Sequence, residues 1–313
     1  MSLAATATPP TLLSRLRLAA ADIKLAHSVF ALPFAMLAAF LARPSDPAKP
    51  GGTWMSFAAQ LALIIVCMVF ARTWAMLINR LADRDIDAAN PRTSRRVIAS
   101  GRLSVRDARL ITLGCALAFC AACSVFLFAF ANPWPLILSV PVLLWIAFYS
   151  FTKRFTFLCH VFLGGALAAS PLAAAIAIDP SALARTPALW FLAGMVVCWV
   201  AGFDVIYALQ DTDFDRQTGL HSIPSRLGPT AAIWISRALH TAAFALLILA
   251  ARAEPRFGPV FFAAVALVGC LLITEHIILA RRGKAGLDMA FFTVNGIVSC
   301  VLGLAGLIDI AVV

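Results

Sequence analysis

The chain has 313 residues, 62% of them hydrophobic and only 13% charged, with a mean hydropathy of +0.92. A soluble globular chain carries about twice that charged fraction, so the composition excludes a water-soluble domain. The net charge of +10 does not imply a nucleic-acid partner. The basic residues sit between apolar segments and are not interleaved with aromatics on one surface, as a single-strand binder requires.

Apolar runs of about twenty residues, the length at which a helix crosses a bilayer, recur along the whole chain. The expected fold is all-α: a polytopic membrane protein of nine transmembrane helices, one domain over residues 1–313. Residues 1–24 read as a tail and lead-in. Met1 to Lys24 lacks the compact apolar core and small-residue cleavage site expected of a signal peptide, and Ser2 to Thr11, with Pro9-Pro10, is expected to be disordered. Leu12 to Lys24 has helical periodicity with its charges on one side, as an interfacial helix would.

The first expected span, His27 to Ala42, is short. The second runs from Thr53 to Asn79 and the third from Leu110 to Ala131. Pro133 and Pro135 mark a turn before the fourth, which ends near Phe151. The fifth covers Phe155 to Ile178, and the sixth runs from Ala188 through Tyr207. The last three are Ala231 to Ala251, Phe257 to Ala280 and Leu287 to Val312. All eight cysteines fall in apolar stretches. Even the C-x-x-C of Cys120 and Cys123 has no histidine nearby to complete a metal site, so they read as small buried apolar residues.

Orientation follows from the basic residues. With the N-terminus cytoplasmic, 18 of the 25 Lys and Arg fall on the cytoplasmic side. The opposite side carries five, namely Arg43, Lys49, Arg185, Arg252 and Arg256. The positive-inside rule then places the N-terminus in the cytoplasm and the C-terminus outside.

Two acidic stretches stand at cytoplasmic ends of spans. One is Asn79-Arg80-Leu81-Ala82-Asp83-Arg84-Asp85-Ile86-Asp87; the other is Tyr207-Ala208-Leu209-Gln210-Asp211-Thr212-Asp213-Phe214-Asp215. A shift of 128 positions carries Asn79, Asp83 and Asp87 onto Tyr207, Asp211 and Asp215. Residues four apart fan across roughly 80° of one helix face. Like charges at that spacing repel, so clustering them costs stability unless a cation neutralises them. Hard carboxylate oxygens in this number suit Mg²⁺, which takes a few carboxylates, several waters and phosphate oxygens. One such stretch could be ordinary hydrated loop charge. Two in register, in a chain with only 15 acids, argue for a site.

Arg72 and Asp204 lie within the second and sixth spans, on the faces that carry the two motifs. An ionisable group there costs at least about 2.5 kcal/mol and lines a polar cavity or finds a partner. These two could simply pair with each other. Lys153 and Arg154, after Tyr149, close the fourth span at the same membrane face, either as pyrophosphate ligands or as topological anchors. Phe30 to Phe34 and His27 line the first span, where packing is the simpler role. The turn-rich basic loop Asn90-Pro91-Arg92-Thr93-Ser94-Arg95-Arg96 suits an anionic substrate or lipid headgroups.

These motifs carry a resemblance to the UbiA superfamily of intramembrane aromatic prenyltransferases, over essentially the whole chain. Asn79, Asp83 and Asp87 match its N-x-x-x-D-x-x-x-D, and Asp211 and Asp215 match its D-x-x-x-D after a tyrosine, here Tyr207. The segments Asp87-Ala-Ala-Asn-Pro-Arg-Thr and Gly219-Leu-His-Ser-Ile-Pro-Ser-Arg-Leu-Gly look like the bacterial 4-hydroxybenzoate polyprenyltransferase branch. The resemblance implies nine helices around a central cavity, capped by cytoplasmic loops in a bacterial inner membrane. It implies Mg²⁺ held by Asp83, Asp87, Asp211 and Asp215, with Asn79 assisting, and bound to a polyprenyl diphosphate. Lys153 and Arg154 would carry part of the pyrophosphate charge, and Tyr149 and Tyr207 would contact substrate. Arg72 is the candidate for the carboxylate of an aromatic acid acceptor, and Asp204 for a hydrogen bond to the acceptor or for stabilising developing positive charge. The implied acceptor is 4-hydroxybenzoate, in ubiquinone biosynthesis; a dihydroxynaphthoate of menaquinone biosynthesis would also offer Arg72 a carboxylate. A secondary transporter would explain many spans and intramembrane ions. Its inverted repeats, however, would place the two acidic stretches on opposite sides of the membrane.

Overall fold

A computed structural model of the chain describes residues 11–23, 30–283, 287 and 289–312. The expected tail from Ser2 to Pro10, and with it Lys24, His27 and Lys284, lies outside the described residues. A helix of twelve residues, α1 (Leu12–Ile23), opens the described chain and is joined to the bundle by an ion pair of 2.6 Å from Arg15 to Asp107. Next comes α2 (Leu32–Ala42), whose eleven residues span only about 16 Å at 1.5 Å each. Of the expected first span, then, the described helix covers the second part. It is buried against the later helices and does not face lipid along its length.

The long helices follow in order. They are α3 (Trp54–Ala82), then the short α4 (Arg84–Ala89), α5 (Val105–Phe130), α6 (Trp134–Thr152) and α7 (Cys159–Ile178). After the single turn α8 (Ala182–Arg185) comes α9 (Ala188–Ala208), continued by a 3₁₀ turn (Leu209–Asp211) into α10 (Thr212–Gln217). The chain ends with α11 (Ile223–Leu227), α12 (Pro229–Ala253), α13 (Pro259–Arg282), a π-helical turn (Met289–Val294) and α14 (Asn295–Val312). Among the described residues no strand occurs, and eight helices are long and apolar enough to cross a membrane. With no water in the bilayer core, only helices satisfy every backbone group within their own segment.

Helix starts are where the sequence supplies caps. Thr53 accepts from the Ser56 N–H at 3.2 Å and Ser104 from the Asp107 N–H at 3.0 Å. Pro33, Pro135, Pro224, Pro229 and Pro259 occupy the first turns of their helices, where a missing N–H costs nothing. The centre of the bundle is α9, the most buried of the long helices, packed between α7 and α12. Glycine permits both contacts: a Cβ on Gly164 would stand 2.4 Å from the Val197 carbonyl, and one on Gly202 would stand 2.3 Å from the His240 ring. Trp199, Phe34 and Phe203 fill the core beside them.

The 128-residue repeat extends to the backbone. Adding 128 to the bounds of α4, 84 and 89, gives those of α10, 212 and 217. The residue before each short helix breaks the preceding one in the same conformation, Asp83 at φ −96°, ψ 9° and Asp211 at φ −101°, ψ 7°. This corrects the simple expectation of a continuous stripe, since neither motif sits on one uninterrupted helix. The bridge-region turn suits aspartate, which favours helix ends over helix interiors. Backbone bonds from Asp83 N to Asn79 O (2.9 Å) and from Asp87 N to Asp83 O (2.7 Å) preserve the four-residue rise across the break. The acids therefore still share one side.

Candidate functional site

The two breaks face each other across a cavity of about 150 Å³ at one end of the bundle. Asn79, Asp83 and Asp87 line one side, Asp211 and Asp215 the other, and Lys153 from the end of α6 reaches in between. Of the expected pyrophosphate and metal residues, six thus share one cavity.

Burying a carboxylate costs several kcal/mol unless a cation and hydrogen bonds compensate. Asp83, only 1% exposed, receives Lys153 Nζ at 2.6 Å on Oδ2, with Asn79 Nδ2 at 3.3 Å on the same oxygen. Arg154 donates to the Ala82 carbonyl and comes within 3.6 Å of Asp83 Oδ1. Asp87, 4% exposed, pairs with Arg96 Nη1 at 2.7 Å. Across the cavity Asp211 accepts from Arg92 through both oxygens and from Asn90 Nδ2 at 3.1 Å. Burial works against the charge on Arg92, but the bonds to Asp211 outweigh it and hold its pKa above the ordinary arginine value. Arg92 also donates to the Tyr207 hydroxyl at 3.2 Å. Asp215 accepts 2.8 Å from the Ser222 hydroxyl.

Among the described residues, two of the site's buried carboxylate oxygens, Asp83 Oδ1 and Asp87 Oδ2, have no hydrogen-bond partner. Each acid of the first motif thus has one oxygen engaged and one open. Among the described residues no three carboxylate, imidazole or thiol groups converge closely enough to cage an ion by themselves. That donor set fits Mg²⁺, which takes one or two carboxylates and completes its shell with water and phosphate oxygens.

Of the two expectations for the deeper residues, mutual pairing is the one the structure contradicts. Arg72 and Asp204 are not each other's partner. Asp204 Oδ2 lies 2.7 Å from His160 Nδ1, whereas the buried Nε of Arg72 has no acceptor among the described residues. Tyr149 is within electrostatic range of Arg72, Asp204 and Asp83. Arg72, Tyr149 and Asp204 do not line the cavity itself; they stand on the spans below it. Sequence reasoning singled out the loop of Asn90 to Arg96 as a general anion attractor but missed that Asn90, Arg92 and Arg96 hold individual acids. It also missed His160 and Ser222. An ionisable residue inside an apolar run was the available signal for His160.

Such a bundle, with paired carboxylates and cations at one mouth and lone polar groups below them, defines a membrane enzyme acting on an anionic substrate with an apolar body. The model of the UbiA prenyltransferase family matches residues 31–297, and the chain belongs to that family. A 4-hydroxybenzoate octaprenyltransferase of Shewanella piezotolerans is 32% identical over 238 residues, 75% of this chain and 78% of that protein. The enzyme of the same name from Aromatoleum aromaticum is 31% identical over 245 residues, 77% and 78% of the two chains. The apo structure of a UbiA homolog from Aeropyrum pernix K1 superposes with a TM-score of 0.78 at 31% identity, covering 91% of this chain and 98% of that one. A UbiA homolog from Archaeoglobus fulgidus, solved bound to DMAPP and Mg²⁺, shares the fold at a TM-score of 0.62 and 21% identity, over 96% and 99% of the two chains. The protein is an integral membrane prenyltransferase.

Proposed function

We propose that the chain works as one domain that transfers a polyprenyl group from a polyprenyl diphosphate to 4-hydroxybenzoate, releasing pyrophosphate in ubiquinone biosynthesis. The observation that carries this reading is the meeting of four aspartates and three cations around one cavity, with the half-buried Arg72 about two turns further along the helix that carries Asn79. In this reading Asp83, Asp87, Asp211 and Asp215, with Asn79, hold Mg²⁺, which neutralises charge on the leaving pyrophosphate. The open oxygens of Asp83 and Asp87 support the first half of that assignment.

Arg92, Arg96 and Lys153 now hold carboxylates, and the same donors suit phosphate oxygens. They and Arg154 stabilise the diphosphate as the allylic C–O bond breaks. The prenyl carbon then bonds to the ring carbon ortho to the hydroxyl, and that carbon's proton leaves to restore aromaticity. Arg72 takes the acceptor's carboxylate through its open Nε, while Tyr149, Tyr207 and Asp204 line the path between the two substrates. Exclusion of water by the apolar bundle keeps the carbocation from becoming a prenyl alcohol. The 18-to-5 split of basic residues supports a cytoplasmic motif face, with the C-terminus on the periplasmic side of a bacterial inner membrane.

The test is full-length protein in nanodiscs with Mg²⁺, polyprenyl diphosphates of several lengths and a panel of phenolic acids that includes a dihydroxynaphthoate. One prenylated aromatic per pyrophosphate released, abolished by EDTA and restored by Mg²⁺, is the expected result. Turnover that survives EDTA would overturn the metal assignment, a naphthoate preference would move the acceptor, and transport with no covalent product would end the enzyme reading.

A further inference from the structure

His160 stands in the first turn of α7, 2% exposed, and nothing in the chemistry above uses it. Its ring has two partners of different kinds. Nδ1 lies 2.7 Å from Asp204 Oδ2, and Nε2 lies 3.2 Å from the backbone nitrogen of Ile223. A backbone N–H can only donate, so Nε2 must present its lone pair. The proton of the neutral ring is then on Nδ1, donated to the Asp204 carboxylate. One bond on each side fixes both the tautomer and the orientation of the ring.

The segment that Ile223 belongs to is held at three further points. The His221 N–H donates to the Lys153 carbonyl at 2.7 Å, Cys159 Sγ to the His221 carbonyl at 3.4 Å, and the Ser222 hydroxyl to Asp215. His160 therefore joins Asp204, inside the bundle, to the segment that touches Lys153 and Asp215 at the mouth. Asp204 is left with Oδ1, which accepts no hydrogen bond among the described residues. It stands on α9 three residues before Tyr207, and its side chain is 23% exposed.

We propose that His160 is a positioning residue: its Nδ1–H holds Oδ2 of Asp204 so that Oδ1 is directed at the acceptor, and its Nε2 ties that setting to the closed His221–Ile223 segment. The proposal rests on the prenyl-transfer reading for what Asp204 acts upon. No proton need leave the imidazole, since Nδ1–H stays donated to Oδ2 throughout. Groups that orient a functional carboxylate or ligand in this way are worth roughly 10- to 100-fold in activity.

The experiment compares full-length wild type with His160→Leu, His160→Gln, Asp204→Asn and the Leu/Asn double variant in nanodiscs, with Mg²⁺, polyprenyl diphosphate and 4-hydroxybenzoate. Leucine fills the space without donor or acceptor, whereas glutamine offers one of each, as the neutral ring does. His160→Leu should lower kcat for transfer about 10- to 100-fold with KM for the diphosphate within about twofold. His160→Gln should recover most of the loss, and the double variant should be no slower than Asp204→Asn alone. Wild-type kcat in His160→Leu, no rescue by glutamine, or additive losses would each overturn the proposal. If His160→Leu does not yield folded protein, the glutamine variant and the ¹⁵N shifts of the wild-type ring decide; a doubly protonated or Nε2–H ring overturns it. Failure of wild type to prenylate any aromatic acid would instead strike the reading of the preceding subsection, and the ring's tautomer would remain measurable without turnover.

Discussion

The two motif halves have the same backbone and different electrostatics. α4 and α10 coincide at the 128-residue offset, and Asp83 and Asp211 break their helices at nearly the same φ and ψ. Yet the first half's loop supplies cations to both sides: Arg96 goes to its own Asp87, and Arg92 crosses to Asp211. Among the described residues the second half's loop returns no cation to either pair of acids. It offers Asp215 the hydroxyl of Ser222. A duplicated scaffold thus sets where four carboxylates stand, and the loops decide how each is compensated. The first motif is the drier, with Asp83 and Asp87 at 1% and 4% exposure and one open oxygen on each. In the second, both oxygens of Asp211 are already engaged.

Removing the negative charge should therefore hurt the first half most. Asp83→Asn keeps the shape but leaves Lys153 without its partner and removes an open carboxylate oxygen in a water-poor site, where a charge is worth far more than in solvent. We expect kcat/KM for prenyl transfer to fall at least about 100-fold, with the thermal midpoint little changed. Asp211→Asn should lose less, because that acid must shed Arg92 and Asn90 before it can act. Equal losses in steady-state assays would show that the halves work as equals despite their unequal pairing.

The crossing arginine comes next. Arg92→Met leaves Asp211 with Asn90 and takes a donor from the Tyr207 hydroxyl. We expect KM for the diphosphate to rise about tenfold, the loss of one charge-assisted phosphate contact, with a smaller change in kcat. Arg92→Lys should not rescue it, since an ammonium cannot span both oxygens of Asp211 and the tyrosine at once. Full activity in the lysine variant would reduce Arg92 to a point charge.

How much of this the sequence discloses depends on what sets each feature. Helix periodicity is local, so the spacing of Asn79, Asp83 and Asp87, and the match at 128 residues, place five functional groups in one cavity. Hydropathy likewise finds the long helices to within a few residues. The bond from Arg92 to Asp211 spans 119 positions, and neither composition nor period encodes a loop crossing to the other half. His160 lies in an apolar run that reads as packing, and its partner Asp204 admitted Arg72 as an equally good neighbour until the fold separated them. The break at Asp83 is hidden because its backbone bonds keep the spacing of a continuous helix.

Below the motifs the halves diverge again. Glu275 on α13, wholly buried, accepts from Asn295 Nδ2 at 3.4 Å and lies 3.8 Å from His240 Nδ1, while Trp199 donates to Asn295 Oδ1 at 2.7 Å. At the same offset the first half has Ala147 for Glu275, Leu167 for Asn295 and Ala71 for Trp199. The second half thus holds its helices together partly by polar contacts where the first uses apolar packing. Glu275→Leu should lower the unfolding free energy by about 1–3 kcal/mol by removing the carboxylate that Asn295 Nδ2 donates to, whereas Glu275→Gln should cost less. Thermal melts in detergent would read this; a leucine variant as stable as wild type would make the network dispensable to folding.

The smallest effect belongs to the weakest compensation. Ser222→Ala removes the hydroxyl from Asp215 and also the cap that accepts the Ser225 N–H at 3.2 Å. Asp215 then keeps its place through α10, so the loss should be near that of one hydrogen bond, about 1 kcal/mol or fivefold in kcat/KM. Ser222→Thr restores the hydroxyl and the cap and should restore the rate. If Ser222→Ala instead matched Asp83→Asn, the hydroxyl would be carrying the share that arginine and lysine carry opposite. The two halves would then be electrostatically equal by unlike means.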